Sequence, residues 1–346
     1  MEENDNTVMF QDFDRIEKFK NEVIKPIFPN VKFESSMMVT ALGEPATSFK
    51  GKLSSVNLFK DTKYEYKGDS KFLHYTSLFS LKAVLETGFL RMSEFGNLID
   101  KNELMYASEN FINNPIFQIK KEELEQLKEN IFCLSACQSN EETKRDAFMW
   151  EVYGDKGKGV FIEFEFTKKD PNKFLLGKVQ YGNESLKPLK DLEKGVEKFA
   201  KDEQNILPNN FSEFFMEIQS FHKAERYKVE QEVRLFLKVE KQAHKVHKLG
   251  SIYQDINSNQ EVKYFYKLFL KERRPFLDFE DSLSNEEDAV FDEFPQIEIK
   301  NIILGFNISV KNKVAITSLL NQIKTTHNYE FEIFQINNEK EIIKMC

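Results

Sequence analysis

The stretch from Ile131 to Phe166, IFCLSACQSNEETKRDAFMWEVYGDKGKGVFIEFEF, decides the fold. Ile131 to Ala136 is an apolar run closing on small residues, the pattern of a buried strand that runs into a turn. From about Lys144 to Tyr153 the apolar spacing is that of one amphipathic helix. Gly154, Gly157 and Gly159 then punctuate a turn, and VFIEFEF (Val160 to Phe166) resumes as a strand. Within this frame stand Ser135, Arg145, Trp150, Tyr153 and Glu163, polar or ring-bearing groups that a plain core does not need. Trp150 is the single tryptophan of the chain and lies one helical turn before Tyr153, so both rings face one side of the helix. Trp150 reads as a core anchor. Tyr153, last in the helix before a glycine turn, reads either as core or as the wall of a cleft.

Outward from this unit, 34 phenylalanines scattered in short alternating runs, with 40% apolar and 31% charged residues, predict a packed mixed α/β protein rather than a disordered chain. The net charge of −8 disfavours binding driven by phosphate contacts over the whole surface. Three cysteines, Cys133, Cys137 and Cys346, suggest no disulfide framework and fit a reducing cytoplasm. The acidic N-terminus lacks a secretory pattern, and no apolar run of about 18 residues occurs, so no membrane partner is expected.

Toward the N-terminus, residues 1–65 read as an appendage on a main domain of 66–346. The appendage has a helix from Phe10 to Ile24, breaks at Pro26 and Pro29, a strand-like piece from Val31 to Val39, and a loop holding Gly43, Pro45 and Gly51. KFLHYTSLFSLKAVLETGFLRM then predicts a strand (Phe72 to Tyr75) and a helix capped by Ser77 and stopped by Gly88. A second strand runs from Phe89 to Met92. His74 stands at the end of that first strand, just before a helix N-terminus, where an anion such as a pyrophosphate is favoured, and reads either as a satisfied structural histidine or as part of such a site.

Toward the C-terminus, LLGKVQYG (Leu175 to Gly182) reads as a strand, and Lys187 to Lys201 and Phe211 to Glu225 as helices. In ERYKVEQEVRLFLKVEK the apolar Val229, Val233, Leu235 and Leu237 alternate with Glu230, Glu232 and Arg234, which places two carboxylates and a guanidinium on one strand face, either wet or lining a cleft. Lys238, Lys241, Lys245 and Lys248 with His244 and His247 form a local basic stretch, too sparse in ligands to suggest a metal, that reads either as a solvated loop or as a place to hold the backbone of single-stranded nucleic acid. Asn257 to Arg273 reads as an aromatic-rich helix, and Asp278 to Glu293, with eight carboxylates in sixteen residues, as a solvated acidic loop at 278–293. IEIKNIILGFNIS, a helix from Lys311 to Ile323 and YEFEIFQIN complete the sheet.

Several of these pieces carry a resemblance. LHYTSLFSLKAVLETGFLRM (Leu73 to Met92) is similar to the opening strand and helix of many ADP-ribosyltransferases. FMWEVYGDKGKGVFIEF, GKVQY, EQEVRLF and IKNIILG resemble, in that order, the signature of a large bacterial family that reads roughly W-x-x-Y, G-V-x-x-x-F, V-x-Y, E-x-E-x-R and I-x-x-I-x-L-G. The resemblance covers about residues 70 to 310. It implies an α+β fold with an ADP-ribosyltransferase-like mixed, split β-sheet core flanked by helices, NAD as substrate, and a triad falling on His74, Tyr153 and Glu232. Glu230 is the alternative carboxylate. Arg234 either meets a phosphate or pairs with a glutamate, and Tyr75, Thr76 and Ser135 are further candidates to contact NAD. The implied activity is ADP-ribosylation of a macromolecular acceptor, protein or single-stranded nucleic acid, in a toxin or anti-phage setting with a cognate inhibitor. NAD glycohydrolysis and a catalytically inert binding module are the alternatives.

Overall fold

The computed structural model describes residues 14–37, 49–54, 57–68, 70–97, 105–108, 128–167, 174–202, 211–238, 253–256, 262–272, 295–337 and 339–345. In chain order the strands are β1 (Lys32–Met37), β2 (Phe49–Ser54), β3 (Lys71–Thr76), β4 (Phe89–Glu94), β5 (Ile131–Gln138), β6 (Val160–Phe166), β7 (Phe174–Lys178), β8 (Gln180–Tyr181), β9 (His222–Lys223), β10 (Glu232–Lys238), β11 (Tyr253–Ile256), β12 (Val262–Phe269), β13 (Ile297–Leu304), β14 (Glu332–Ile336) and β15 (Ile342–Lys344). The α-helices are α1 (Leu78–Thr87), α2 (Met105–Ser108), α3 (Glu141–Arg145), α4 (Ala147–Val152), α5 (Lys187–Asp202), α6 (Phe211–Gln219) and α7 (Val310–His327). The protein is mixed α+β, with a large mixed sheet flanked by helices. Two compact units share the chain: Met1–Tyr66, Ile99–Leu127 and Leu175–Lys228 form the first, and Lys67–Leu98, Lys128–Phe174 and Val229–Cys346 the second. The N-terminal segment thus groups with two later segments of the chain, the last of them Leu175–Lys228.

In the first unit, residues 14–19 are helical and run into a π-helical turn, Lys20–Ile24. β1 and β2 pair antiparallel, and Gly51, expected in a loop, lies within β2 opposite Ser35. Helix α5 buries Leu189, Leu192, Val196 and Phe199, spaced three or four apart as one helix face requires. Phe19 meets Phe199 and Phe211 edge-on at 5.1 and 5.7 Å, so aromatic packing ties the N-terminal helix to α5 and α6. The helix expected from Phe211 to Glu225 stops at Gln219, and the chain turns into the two-residue strand β9, which pairs with β8 in parallel.

In the second unit the strand order runs β11-β12-β4-β5-β3-β6-β13-β14-β15, with β10 paired to β5. β13 and β14 are parallel and the other named pairs antiparallel. Helix α1 begins at Ser77, whose side chain accepts from the Ser80 amide, and ends at Gly88 with φ of 77°, a left-handed stop that suits glycine. The helix expected across Lys144 to Tyr153 is two short helices instead. Asn140 caps α3 in a capping box with Thr143, and Asp146, extended at ψ 124°, ends α3 and caps α4 through the Met149 amide. Two good caps only a few residues apart divide what apolar spacing alone joins. Against the sheet, Trp150, Met149 and Tyr75 pack with Leu73, Phe161 and Ile303, and Trp150 donates its indole N–H to the Lys144 carbonyl at 3.0 Å.

The described part of the stretch expected as an aromatic helix, residues 262–272, is strand β12 and its exit. VKYFYKLF is β-branched and aromatic, which suits a pleated surface, and in pairing with β4 it places Phe265, Lys267 and Phe269 on one face and Tyr266 and Leu268 on the other. The acidic stretch 278–293 and the basic residues Lys241, Lys245, Lys248, His244 and His247 lie outside the described residues. Among the described residues no helix is long and apolar enough to cross a membrane.

Candidate functional site

Strand β5 forks the sheet. Along one edge it pairs continuously with β10, from Ile131 opposite Lys238 to Cys137 opposite Glu232. Along the other edge it is shared: Gln138 and Cys137 face Phe72 and Leu73 of β3, while Cys133 and Phe132 face Ser93 and Glu94 of β4. Between these two partners the ladder opens at Leu134 to Ala136. A backbone carbonyl there needs another donor, and His74 supplies one, with Nδ1–H donating to the Ser135 carbonyl at 3.3 Å. Burial holds the His74 imidazole below its usual pKa, and the Ser135 carbonyl opposes that shift only in part.

On the far edge of β5 the alternation expected from Glu230 through Arg234 is broken. Glu230 ends a 3-10 turn (Glu225–Glu230), and Gln231 takes a left-handed φ of 41° before β10 starts at Glu232. The side chain of Gln231 is clamped at both ends: Asn140 Nδ2 donates to its Oε1 at 2.7 Å, and its own Nε2 donates to Glu142 at 2.8 Å. The face that could have been wet is buried. Glu232 and Arg234 have side chains 4% and 0% exposed, and they form a two-pronged ion pair, Nε to Oε1 at 2.7 Å and Nη2 to Oε2 at 3.1 Å. Of the two roles open to Arg234, pairing with a glutamate is the one seen.

Tyr153 follows α4 and leans on the cluster around Leu73, Cys137 and Trp150. Its hydroxyl donates to Glu230 Oε1 at 2.7 Å, and Phe148 meets its ring edge-on at 6.5 Å. The register places Cys137 opposite Glu232 and Ser135 opposite Arg234. Tyr153, Glu230, Glu232, Arg234 and Ser135 therefore gather at one end of the β5–β10 pair, with His74 reaching the same strand through the fork. Tyr75 does not join them. It points to the core against Trp150 at 5.3 Å, its hydroxyl donates to the Thr143 carbonyl, and burial pushes its pKa up. Thr76 is half-buried and pairs with Val160 at the end of β3. Arg145 sits on the surface with Glu141.

Two features escape the spacing of the sequence. The first is Gln231, whose clamp joins residues 89 and 91 positions apart and has no local signature. The second is the environment of Glu163, buried in β6. Burial raises its pKa, but hydrogen bonds from Lys144, Ser139 and Asn301, with the Lys144 charge at 2.8 Å, bring it below the usual carboxylate value. Among the described residues no group of three or more His, Cys, Asp or Glu side chains is placed to hold a metal ion.

The family described as Protein of unknown function (DUF2971) matches this chain at residues 149–235, a segment that takes in Trp150, Tyr153, Glu163, Glu230, Glu232 and Arg234. No curated protein and no solved structure matches the chain.

Proposed function

We propose that this protein is an NAD-dependent ADP-ribosyltransferase acting on a macromolecular acceptor, with the mixed, split sheet of that superfamily as its second unit. One observation carries the reading: a tyrosine ring, two buried carboxylates and a guanidinium gather where β5 forks the sheet, and His74 reaches the Ser135 carbonyl of the same strand. Cleavage of the nicotinamide N-glycosidic bond passes through an oxocarbenium-like state, which needs a ring against the leaving base and a fixed negative charge beside the ribose. In this scheme Tyr153 stacks on nicotinamide, Glu232 faces the ribose, and Arg234 holds that carboxylate in one orientation. His74 and Thr76 contact the NAD ribose and amide. The acceptor's nucleophile attacks the anomeric carbon, nicotinamide leaves with the bonding electron pair, and Glu230 takes the acceptor's proton. With water as acceptor the same steps give NAD glycohydrolysis.

A second reading, a catalytically inert module that binds a nucleotide or a partner, is favoured by one observation: the Glu232 carboxylate is already neutralised by Arg234. NAD consumption separates the two. The first reading expects nicotinamide release, with a Glu232→Gln protein that folds normally losing about 100-fold or more in rate. Near-wild-type turnover by that variant sinks the assignment, and a dead Glu230→Gln protein beside an active Glu232→Gln one moves the role two residues back. Calorimetric NAD binding without any release supports the inert module. Mass spectrometry of cell extract incubated with labelled NAD then identifies the acceptor and, with it, any toxin or defence setting.

A further inference from the structure

From residue 299 to residue 329 the chain carries no Asp or Glu, although it holds 57 carboxylates in 346 residues. That run takes in most of β13, the turn after it and all of α7, and the turn meets the glycine loop that follows Tyr153. Asn307 locks the two together: its amide donates to the Gly157 carbonyl at 2.9 Å and its Nδ2 to the Lys156 carbonyl at 2.7 Å. The Gly305 amide donates to the Gly159 carbonyl at 3.0 Å, and the backbones approach so closely that a Cβ on Gly305 would lie 2.2 Å from the Gly157 carbonyl oxygen. Lys156 and Lys158 are therefore held beside the start of α7, which carries Lys311 and Lys313. Among the described residues none of these four ammonium groups meets a carboxylate. Asp155 is the carboxylate of the glycine loop, and the first turn of α7 holds none.

Lys313 is the anomaly. With Thr317, Leu320 and Ile323 it makes the buried stripe of α7, and it is 8% exposed with no partner for its ammonium among the described residues. Lysine is rarely so buried unless paired, and an apolar residue in its place would extend the stripe of Leu320 and Ile323. Burial lowers its pKa, and no carboxylate opposes that shift. Thr317, one turn further on, has a buried hydroxyl that also finds no partner among the described residues. Side chains on a helix lean toward its N-terminus, so Lys313 is directed to the end of α7. There Ser309 takes the Asn312 amide, and the amides of Val310 and Lys311 have no partner within the helix.

We propose that the N-terminal end of α7 binds a phosphate or pyrophosphate group, seated on the first-turn amides between Lys156, Lys158, Lys311 and Lys313. Free amides and the helix dipole favour an anion there, and the lysines add charge-assisted hydrogen bonds. The backbone packing of Gly305 on Gly157 fixes the two loops before the ligand arrives, so little ordering opposes binding. An anion also explains why a cation stands in the buried stripe of α7. The site uses none of the residues assigned to NAD chemistry, and it stands whether or not the chain consumes NAD.

Isothermal titration calorimetry of the full chain with inorganic pyrophosphate, ADP and adenosine, each at matched ionic strength, tests this. The emission of Trp150, whose ring stands 5.9 Å from that of Phe306, gives a second signal. The expected result is saturable binding of pyrophosphate or ADP and none of adenosine. Tighter binding of ADP identifies a nucleotide as the source of the group, and tighter binding of pyrophosphate an inorganic ion; either upholds the site. Lys313→Met should bind about tenfold or more weakly, as loss of a hydrogen bond to a charged group predicts. Without ligand it should melt at or above the wild-type temperature, because it takes an unpaired cation out of an apolar stripe. A purely structural lysine predicts the opposite. The exposed pair Lys156→Gln/Lys158→Gln should keep the fold, bind about tenfold or more weakly and depend less on salt. Wild-type protein with no saturable binding of pyrophosphate or ADP, variants that bind as wild type does, or a Lys313→Met protein that melts well below wild type would each overturn the proposal.

Discussion

Replacing Arg234 by methionine removes the charge that Glu232 faces and should destabilise the second unit severely. The guanidinium is 0% exposed and the carboxylate 4%, joined by two hydrogen bonds, so neither charge can turn to water when its partner goes. Removing one partner of a buried ion pair costs about 3–5 kcal/mol. Glu232→Leu should cost a similar amount, because it takes a two-pronged carboxylate acceptor from a buried guanidinium that lies beside Phe95. The double variant Glu232→Leu/Arg234→Met removes both charges and fills similar volume, which is commonly neutral or better, so it should lose less than about 2 kcal/mol. The expected coupling, at least about 4 kcal/mol, is large for a pairwise term. Urea unfolding followed by tryptophan emission measures it cleanly, since the single tryptophan, Trp150, is 1% exposed within the second unit and reports on that unit. A cost below about 1 kcal/mol for Arg234→Met, or a double variant as unstable as the two singles added together, would refute the view that this pair is sealed from solvent.

Other outcomes follow from single contacts. His222 in the first unit is buried as the neutral ring: Tyr64 donates to Nε2 at 2.9 Å, and Ser185, whose proton goes to the Gly182 carbonyl, accepts from Nδ1 at 3.0 Å. Burial, with the Lys63 charge adding, lowers its pKa from 6.5 to about 3. Between those values the unfolded chain binds a proton that the folded chain does not, so stability is intact above pH 6.5 and falls by about 1.4 kcal/mol per unit below it. Circular dichroism melts from pH 7 to 4 should show that slope, and His222→Asn should flatten it; equal slopes in both proteins would contradict the assignment. Gly159→Ala should abolish folding or cost several kcal/mol, because its methyl would lie 2.4 Å from the Thr76 carbonyl, whereas Gly96→Ala, with Lys128 Cβ at 3.5 Å as its nearest neighbour, should melt near wild type. Tyr153→Phe deletes the donor to Glu230 and should cost about 1–2 kcal/mol in urea while leaving the ring that the proposed reaction uses, so a large rise in KM for NAD with little loss of stability would argue against that role.

Where period and caps agree, the fold is legible in the sequence. Val160–Phe166 is a strand over the full expected span, and Ser77 and Gly88 bound α1 as their side-chain chemistry predicts. Misreadings arise where a local pattern competes with long-range pairing. Aromatic density between residues 262 and 269 could be wrapped on a helix, but those rings are sorted by pairing with β4. Apolar spacing across Lys144 to Tyr153 is continuous, yet Asp146 leaves helical geometry to cap α4. Grouping of Leu175–Lys228 with the N-terminal segment has no local signal at all. At the candidate site the residue types were legible and their arrangement was not. Strict alternation would set Glu230 beside Glu232, but Gln231 in a left-handed conformation, held by Asn140 and Glu142, directs Glu230 to Tyr153 and leaves Glu232 to Arg234.

That division of partners bears on why the charges are there. Two carboxylates side by side on one buried strand face would repel in a medium of low dielectric, and one would have to take up a proton. Turning the backbone at Gln231 separates them and gives each its own donor, at the cost of a strained φ of 41° for a residue with a Cβ. A sheet that needed only stability has a simpler solution, since apolar side chains in place of a buried ion pair usually hold a fold as well or better. A strained residue, two side-chain clamps and a buried arginine all serve to hold Glu230 and Glu232 apart and in place. Such an arrangement is intelligible when the carboxylates face something that develops positive charge, and the same residues fall within the segment matched by the uncharacterised family. For that reason Gln231→Gly is informative: it relieves φ but frees the clamp, so the protein should remain stable while nicotinamide release falls. A Gln231→Gly protein with both properties unchanged would show that the turn alone, and not the clamp, places the two carboxylates.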